Sequence, residues 1–391
     1  ILSVAVRFHH AKKTEKTKYT EVQDLNFIGI LAFFDPIRKE VPDAIKKIEN
    51  YGVKVVMATG DLKGTAIAIS KHLGWQIDQT QVLTGEEIRQ MNDGELKEAL
   101  DLVKIFARVT PEDKLRIGKL FQQKGEVVAM TGDGVNDAPS LKAVDIGIAL
   151  GSGSDVAKGI ADLVLLDDNF NVIVSTIEEG KRMLKNIRKT FVYLMSNSLD
   201  EVILIGGSLL VGLSLPLTAI QIIWVNFFTG SLPAIAFAFD KDSDSNIRGN
   251  DIKKDKIILD SEVKFLSLGI GVLSSILLFA LYWYLMTNTK VDEITAKTFL
   301  FACFSSYILF VAFSLKSLKK PIFKYNIFSN KFLVWGVLIG LILLFMTIYI
   351  PFFQAIFNTT SLSLFWLLLL IVWTVLNIFL IEVTKWFFYK N

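Results

Sequence analysis

Two hydrophobic rhythms divide the chain near Lys189: before it, short apolar stretches alternate with amphipathic segments of helical length, and after it, long apolar runs are separated by short polar loops. In the first part, stretches 27–34, 53–58, 105–107, 127–130, 146–149 and 163–166 read as strands, with helices between them at 42–50, 63–73, 111–123 and 155–161. Apolar strands alternating with helices predict a mostly parallel sheet covered on both faces, a Rossmann-like, doubly wound α/β domain over residues 25–170. In such a sheet ligands sit beyond the carboxyl ends of the strands. The second part holds six apolar segments of membrane-spanning length, at 191–213, 217–239, 263–286, 298–315, 332–350 and 362–383, which predict an all-α bundle of six transmembrane helices over 191–391. Residues 171–190 keep a helical pattern, and no Gly- or Pro-rich break separates Gly180 from Phe191. They predict a stalk helix that runs on into the first span and carries motion into the membrane.

Composition strengthens this division. At 391 residues, with 52% hydrophobic residues and a mean hydropathy of +0.45, the chain has the content of a multi-pass membrane protein with a soluble part. A net charge of +3, without a basic stripe interleaved with aromatics, gives no footprint for nucleic acid. The single cysteine, Cys303, lies in an apolar run and reads as a small packing residue. His9, His10 and His72 lack the partners of a zinc site. The chain starts at Ile1, with no signal peptide pattern, and reads as part of a longer protein.

The chemistry-bearing residues cluster at predicted strand ends. Met130-Thr131-Gly132-Asp133-Gly134-Val135-Asn136-Asp137-Ala138-Pro139 puts two carboxylates and an amide on a glycine turn after a strand, a donor set suited to Mg²⁺ and phosphate. Thr59-Gly60-Asp61 follows another strand, where a hydroxyl and backbone N–H groups at a helix start can hold phosphoryl oxygens. Lys114 lies one turn into the helix opened by Thr110-Pro111-Glu112-Asp113, from which an ammonium can neutralise a phosphoryl group. Each signal alone is ordinary turn or helix chemistry; their order along the chain is what makes them specific. The Gly151-Ser152-Gly153 pair is not a dinucleotide fingerprint, because it lacks the third glycine and the distal acid.

Threonine, lysine and paired aspartates in this order resemble the second, third and fourth motifs of the haloacid dehalogenase superfamily. The phrases Met57-Ala58-Thr59-Gly60-Asp61 with Lys63-Gly64-Thr65-Ala66, Asp35-Pro36-Ile37-Arg38, Asp145-Ile146-Gly147-Ile148-Ala149 and Asp167-Asp168-Asn169-Phe170 are similar to those of P-type ATPases, the cation pumps that form an aspartyl-phosphate. The resemblance implies a haloacid dehalogenase-type phosphorylation domain over 25–170 and the end of a nucleotide-binding domain with a loop over 1–24. It implies Mg²⁺ as cofactor and ATP as substrate, with Asp133 on the metal, Asn136 and Asp137 supporting it, Thr59, Gly60 and Asp61 on the phosphoryl oxygens and Lys114 balancing charge. The family's nucleophile sits in an Asp-Lys-Thr-Gly phrase, and none occurs in this chain. That aspartate is expected before Ile1, with the actuator domain and four further helices, in the same or a separate chain; these residues alone are expected to be inactive. A non-catalytic membrane-anchored sensor of phosphate or nucleotide, or one half of a split pump, are the alternatives.

The membrane part extends the resemblance. Lys181, Arg182, Lys185, Arg188 and Lys189 precede the first span, Arg248, Lys253, Lys254 and Lys256 separate the second from the third, and Lys316, Lys319, Lys320 and Lys324 the fourth from the fifth. This bias predicts that both ends are cytoplasmic, and the plasma membrane is the expected location. Asp200 and Glu201 lie about 14 Å into the first span, where charge is costly and usually functional. In the next span Asn226, Thr229 and Gly230 precede Pro233, whose missing N–H predicts a locally opened helix with free carbonyls. Tyr193-Leu194-Met195-Ser196 leading to Glu201, and Trp224-Val225-Asn226 leading to Pro233, resemble the ion-binding helices of calcium and sodium/potassium pumps. The resemblance implies Glu201, Asn226 and Thr229 as ligands of the transported cation, with Asp200 an added acid. Gly230 and Ser198 depart from the pattern, replacing an aspartate and an asparagine, so a full two-calcium site is not expected; one Ca²⁺, a monovalent ion or a proton stay open.

Overall fold

A computed structural model describes residues 2–6, 25–31, 36–241 and 258–390. Strands β1 (Leu2–Val6) and β2 (Asn26–Leu31) pair antiparallel, with a register shift between Val4 and Ala5. Helix α1 (Val41–Asn50) leads to β3 (Met57–Thr59) and α2 (Lys63–His72), and then to β4 (Val82–Thr84), α3 (Gly85–Gln90) and α4 (Asp93–Ala99). Next come β5 (Ile105–Ala107), α5 (Pro111–Gln123), β6 (Ala129–Gly132), α6 (Ala138–Ala143), β7 (Ile146–Leu150), α7 (Asp155–Ile160) and β8 (Leu163–Leu165). All ladders among β3 to β8 are parallel, in the orders β3-β5-β4 and β6-β7-β8.

The fold class is α/β with parallel strands, as the alternation predicts. In β5, Ile105 and Ala107 pack with Ile45, Ala66 and Trp75, while Phe106 points the other way into Ile88, Leu96, Ile117 and Leu120; all three β5 residues are fully buried. A strand buried on both faces is what helices on either side of a sheet produce. Two features differ from expectation. The strands form two three-stranded parallel sheets instead of one, with β3 and β6 each at an edge. The described part of stretch 27–34, up to Leu31, pairs antiparallel with β1, because apolar content alone does not distinguish the two modes of pairing; residues 32–34 lie outside the described residues. Strand β4, at three residues, is too short to carry an apolar pattern of its own.

Helix α8 (Asn171–Leu210) is continuous for 40 residues, from the α/β domain into the membrane part. At about 1.5 Å per residue it is roughly 60 Å long. Its first turns are held by α1: Val174 packs with Ala44 and Ile48, Tyr51 hydrogen-bonds Glu178, and Lys181 donates to the Tyr51 carbonyl at 3.0 Å while lying 4.5 Å from that ring's centroid. After it come α9 (Ala219–Trp224), a π-helical turn (Val225–Gly230) and α10 (Ser231–Ala238). The remainder comprises α11 (Ser261–Asn288), α12 (Glu293–Leu315), α13 (Lys331–Tyr349), α14 (Pro351–Phe357) and α15 (Leu364–Lys390).

Among the described residues five helical spans are long and apolar enough to cross a membrane: Ala219–Ala238, Ser261–Asn288, Glu293–Leu315, Lys331–Tyr349 and Leu364–Phe388. The expected first span, 191–213, is not among them; it is the second half of α8, whose Ser196, Asn197, Ser198, Asp200 and Glu201 lower its apolar content. It packs along α11, where a Cβ on Gly271 would lie 3.0 Å from Ser196 Cα, so the close approach of the two helices depends on that glycine. Helix α12 is the centre of the bundle, with 89% of its span buried, against 17% for the outer helix α15. Two clasps bind the start of this half of α8, next to the α/β domain. Lys189 meets Asp240 at 2.8 Å, both buried, and Arg188 meets Asp260 at 2.5 Å and Glu262 at 2.8 Å. The basic run 248–256 lies outside the described residues.

Candidate functional site

At the carboxyl end of β6 the chain turns through Gly132-Asp133-Gly134 into one 3₁₀ turn, Val135–Asp137, and then α6. A Cβ on Gly132 would lie 2.6 Å from Asp137 Cβ, so this return of the backbone requires glycine. Asp137 Oδ2 accepts from the Gly134 N–H at 3.4 Å, and Ser154 donates its N–H to the Asp133 carbonyl at 2.8 Å. Side chains therefore leave the turn in fixed directions. Asp133 and Asn136 are exposed, and among the described residues neither makes a side-chain hydrogen bond or ion pair, whereas Asp137 is mostly shielded.

Lys114 reaches this turn from α5. Thr110 and Asp113 cap that helix reciprocally: Asp113 N–H donates to Thr110 Oγ1 at 3.3 Å, and Thr110 N–H to Asp113 Oδ2 at 3.0 Å, with Pro111 preset for the first turn. Arg89 adds an ion pair to Asp113 at 2.6 Å. The next residue is Lys114, whose Nζ lies 2.6 Å from Asp137 Oδ1. The expected helix 111–123 is observed with those bounds.

Thr59-Gly60-Asp61 leaves β3 beside the segment that leads to Lys114. Arg108 donates its N–H to the Asp61 carbonyl at 2.9 Å and Val109 donates to the Thr59 carbonyl at 3.1 Å. The Thr59 hydroxyl oxygen accepts from the Asp61 N–H at 3.1 Å, which leaves its hydrogen available to donate. A hydrogen-bonded series thus runs from Thr59 through Val109 and the capped start of α5 to Lys114 and Asp137, along the carboxyl ends of β3, β5 and β6. Among the described residues no group of three or more His, Cys, Asp or Glu could hold a metal on its own.

One constellation at this rim escaped the sequence reading. Asp168 accepts from Ser152 N–H at 3.1 Å and from Arg38 Nη2 at 3.0 Å, and its carbonyl accepts from Arg38 Nη1 at 2.8 Å. It ties the segment before α1 and the loop after β7 to the start of α8. Its φ of 51°, a left-handed conformation that Asp tolerates better than most residues, is a structural trace of this role.

In the membrane part, Asn226 Nδ2 donates to Glu201 Oε1 at 2.7 Å, joining two of the expected ion ligands across α8 and the π-helical turn. Asn226 is exposed and Glu201 half-buried, so the pair faces the outside of the helices described. The helix does open before Pro233, as a π-helical turn, but two of its carbonyls are not left free. The Thr229 hydroxyl donates to Val225 O at 2.8 Å and Ser231 to Asn226 O at 2.8 Å. Thr229 is buried with its hydroxyl turned to its own helix, and Asp200 faces away from Asn226, toward Ser274 and Ser275 on α11.

Comparison with known proteins divides the chain in the same way. Residues 4–145 match the family of haloacid dehalogenase-like hydrolases, and residues 115–177 match a second family of that description. Residues 214–387 match the family described as cation transporting ATPase, C-terminus. Over 96% of its length the chain is 38% identical to "Calcium-transporting ATPase 1" of Bacillus cereus, covering 44% of that protein. It is 36% identical over 93% of its length to "Calcium-transporting ATPase 1" of Saccharomyces cerevisiae, covering 39% of it. With "Calcium-transporting ATPase type 2C member 2" of Homo sapiens the identity is 35% over 88% of this chain and 36% of the relative. The chain therefore spans about two fifths of the length of these curated relatives.

Proposed function

Because the chain belongs to the P-type cation-transporting ATPases, we propose that it works within an ATP-driven pump, in which phosphoryl transfer to and from an aspartate is coupled to movement of a cation across a membrane. The observation that carries this reading is the Glu201–Asn226 hydrogen bond, 2.7 Å long, on a helix continuous with the domain that holds Lys114 and Asp137. Similarity to calcium-transporting relatives supports Ca²⁺ as the cargo. A site with one carboxylate and one amide supports a single ion.

The residues of the cytosolic rim fit Mg²⁺ with phosphate. Mg²⁺ takes one or two carboxylates, keeps waters and accepts phosphate oxygens, so it needs no cage of three acidic residues. Asp133, exposed and unpartnered among the described residues, is the ligand; Asp137 supports it while orienting Lys114, and Asn136 offers its amide oxygen. Bound there, Mg²⁺ neutralises charge on the phosphoryl oxygens. Lys114 places a second positive charge at the rim, and Thr59 donates its hydroxyl hydrogen to a phosphoryl oxygen delivered from ATP, steadied by the Gly60-Asp61 turn.

The nucleophilic aspartate comes from the N-terminal part of the pump, in the same or a separate chain, and residues 1–391 alone do not carry out phosphoryl transfer. Two observations support this. Strands β3 and β6 each have an unpaired edge among the described residues, a place for a further parallel strand. The Glu201–Asn226 pair is uncovered at a depth where polar groups avoid lipid, which calls for additional membrane helices against it. The Lys and Arg clusters support cytoplasmic placement of both ends.

Glu201→Gln in the intact pump is the test. The Ca²⁺ concentration that half-saturates ATP hydrolysis is expected to rise at least about tenfold for loss of one charged ligand. Phosphorylation from inorganic phosphate with Mg²⁺ should persist. An unchanged Ca²⁺ dependence would refute the assignment.

A further inference from the structure

Asp200 has no exposed surface and turns from α8 toward α11 and α12. Its Oδ1 accepts from Ser274 Oγ at 2.7 Å and Ser275 Oγ at 2.8 Å, and its Oδ2 has no partner. Other buried polar atoms without hydrogen bonds lie along the same face. They are both amide atoms of Asn197, one turn before Asp200; the Tyr193 hydroxyl, a turn earlier; and the hydroxyl of Tyr307, which comes from α12 and faces Asp200, Ser274 and Ser196 without completing a bond. Asn197 is 6% exposed and Tyr307 3%. The charged group that acts on Asp200 is Glu201, of the same sign, and no cationic side chain pairs with it among the described residues.

Buried polar atoms are almost always hydrogen-bonded, and a buried carboxylate calls for a counter-charge. Here an unpartnered Tyr307 hydroxyl faces one carboxylate that has no counter-charge, and the unpartnered Asn197 amide lies one turn away on the same helix. We propose that Asp200, Ser274, Ser275, Asn197 and Tyr307 form a second cation site, for one monovalent alkali ion, Na⁺ or K⁺, on a face of α8 turned about 100° from that of Glu201. Carboxylate, hydroxyl and amide oxygens make up the donor set, which suits a hard cation. A single carboxylate balances one positive charge, whereas a divalent ion would leave one uncompensated. The proposal rests on the reading of Glu201 as the transport site, since only then is the occupant of Asp200 a co-ion or counter-ion of the same pump.

The test uses the intact pump in proteoliposomes, with Na⁺, K⁺ and the organic cation N-methylglucamine as probes. At saturating Ca²⁺, wild-type ATP hydrolysis is expected to change about tenfold when one alkali ion replaces N-methylglucamine, a typical coupling between sites, and the effective ion identifies the occupant. Asp200→Asn is expected to abolish this response. The Ser274→Ala, Ser275→Ala double variant keeps the charge and should raise the half-saturating alkali ion concentration by about tenfold. The inference is overturned if the wild type ignores both alkali ions, as it would if a proton alone neutralised Asp200, or if all variants respond as the wild type does. Glu201→Gln separates the two readings: altered Ca²⁺ dependence beside a flat alkali response sinks only this inference, and unaltered Ca²⁺ dependence sinks the transport-site reading.

Discussion

Asp168 shows how one carboxylate can join distant phrases of a sequence. Hydrogen bonds from Ser152, and then the Arg38 guanidinium, hold its pKa at about 2, below the ordinary 3.8. A carboxyl depressed in the folded state contributes stability that is present above its unfolded pKa and lost as pH falls through the folded value. That contribution should vanish between about pH 4 and about pH 2. Thermal unfolding across this window is expected to show a flatter acid limb for Asp168→Asn, and identical limbs would disprove the role. The sequence displayed Asp167-Asp168-Asn169-Phe170 as a phrase but gave no hint of its partners, because Arg38 is 130 residues away. Thr59, Lys114, Asp133 and Asp137 stand out in the sequence because each sits beside a local signal, a strand end, a capping box or a glycine turn, and of these four the structure brings Lys114 and Asp137 into direct contact. Asp200 and Glu201 read as one feature and proved to be two, since a helix turns neighbours about 100° apart.

Among the elements, those with explicit start signals were read most sharply. Thr110-Pro111-Glu112-Asp113 gave α5 its observed bounds. The same logic was available at Thr84-Gly85-Glu86-Glu87, where Thr84 accepts from Glu87 N–H at 3.4 Å, but the three-residue strand before it hid α3. Sheet grouping was not legible, because a strand's apolar pattern records that it is covered and not which strand lies beside it. The turn between β6 and α6 gives a test at this scale. In Gly132→Ala the new methyl meets Asp137 Cβ at 2.6 Å, so the turn must move and with it Asp133 and the Lys114 partner. Misplacement of about 1 Å costs roughly a hundredfold in rate. Phosphoenzyme formation by the intact pump should fall by about that factor while the protein still reaches the membrane, and near-normal formation would show that the turn tolerates a side chain.

The molecule as a whole joins the rim that carries Lys114 and Asp137 to a membrane bundle by one helix. Its two-part plan was legible in the change of hydrophobic rhythm, and the expected span 191–213 falls mostly within α8, although its polar residues keep it out of the five most apolar spans. If the nucleophile lies in another part of the pump, residues 1–391 alone should take no label from radioactive ATP. Adding the missing part, fused or separate, should restore an acid-stable phosphoprotein sensitive to hydroxylamine; labelling of the chain alone would contradict this. The continuity of α8 has one more consequence. An unbroken helix has a single rotational phase, so Glu178 and Lys181, which engage α1, and Glu201, which meets Asn226, are geared to one another. Inserting or deleting one residue between them would turn one set of teeth by about 100° against the other. The stalk is therefore free to drift in composition and constrained in length.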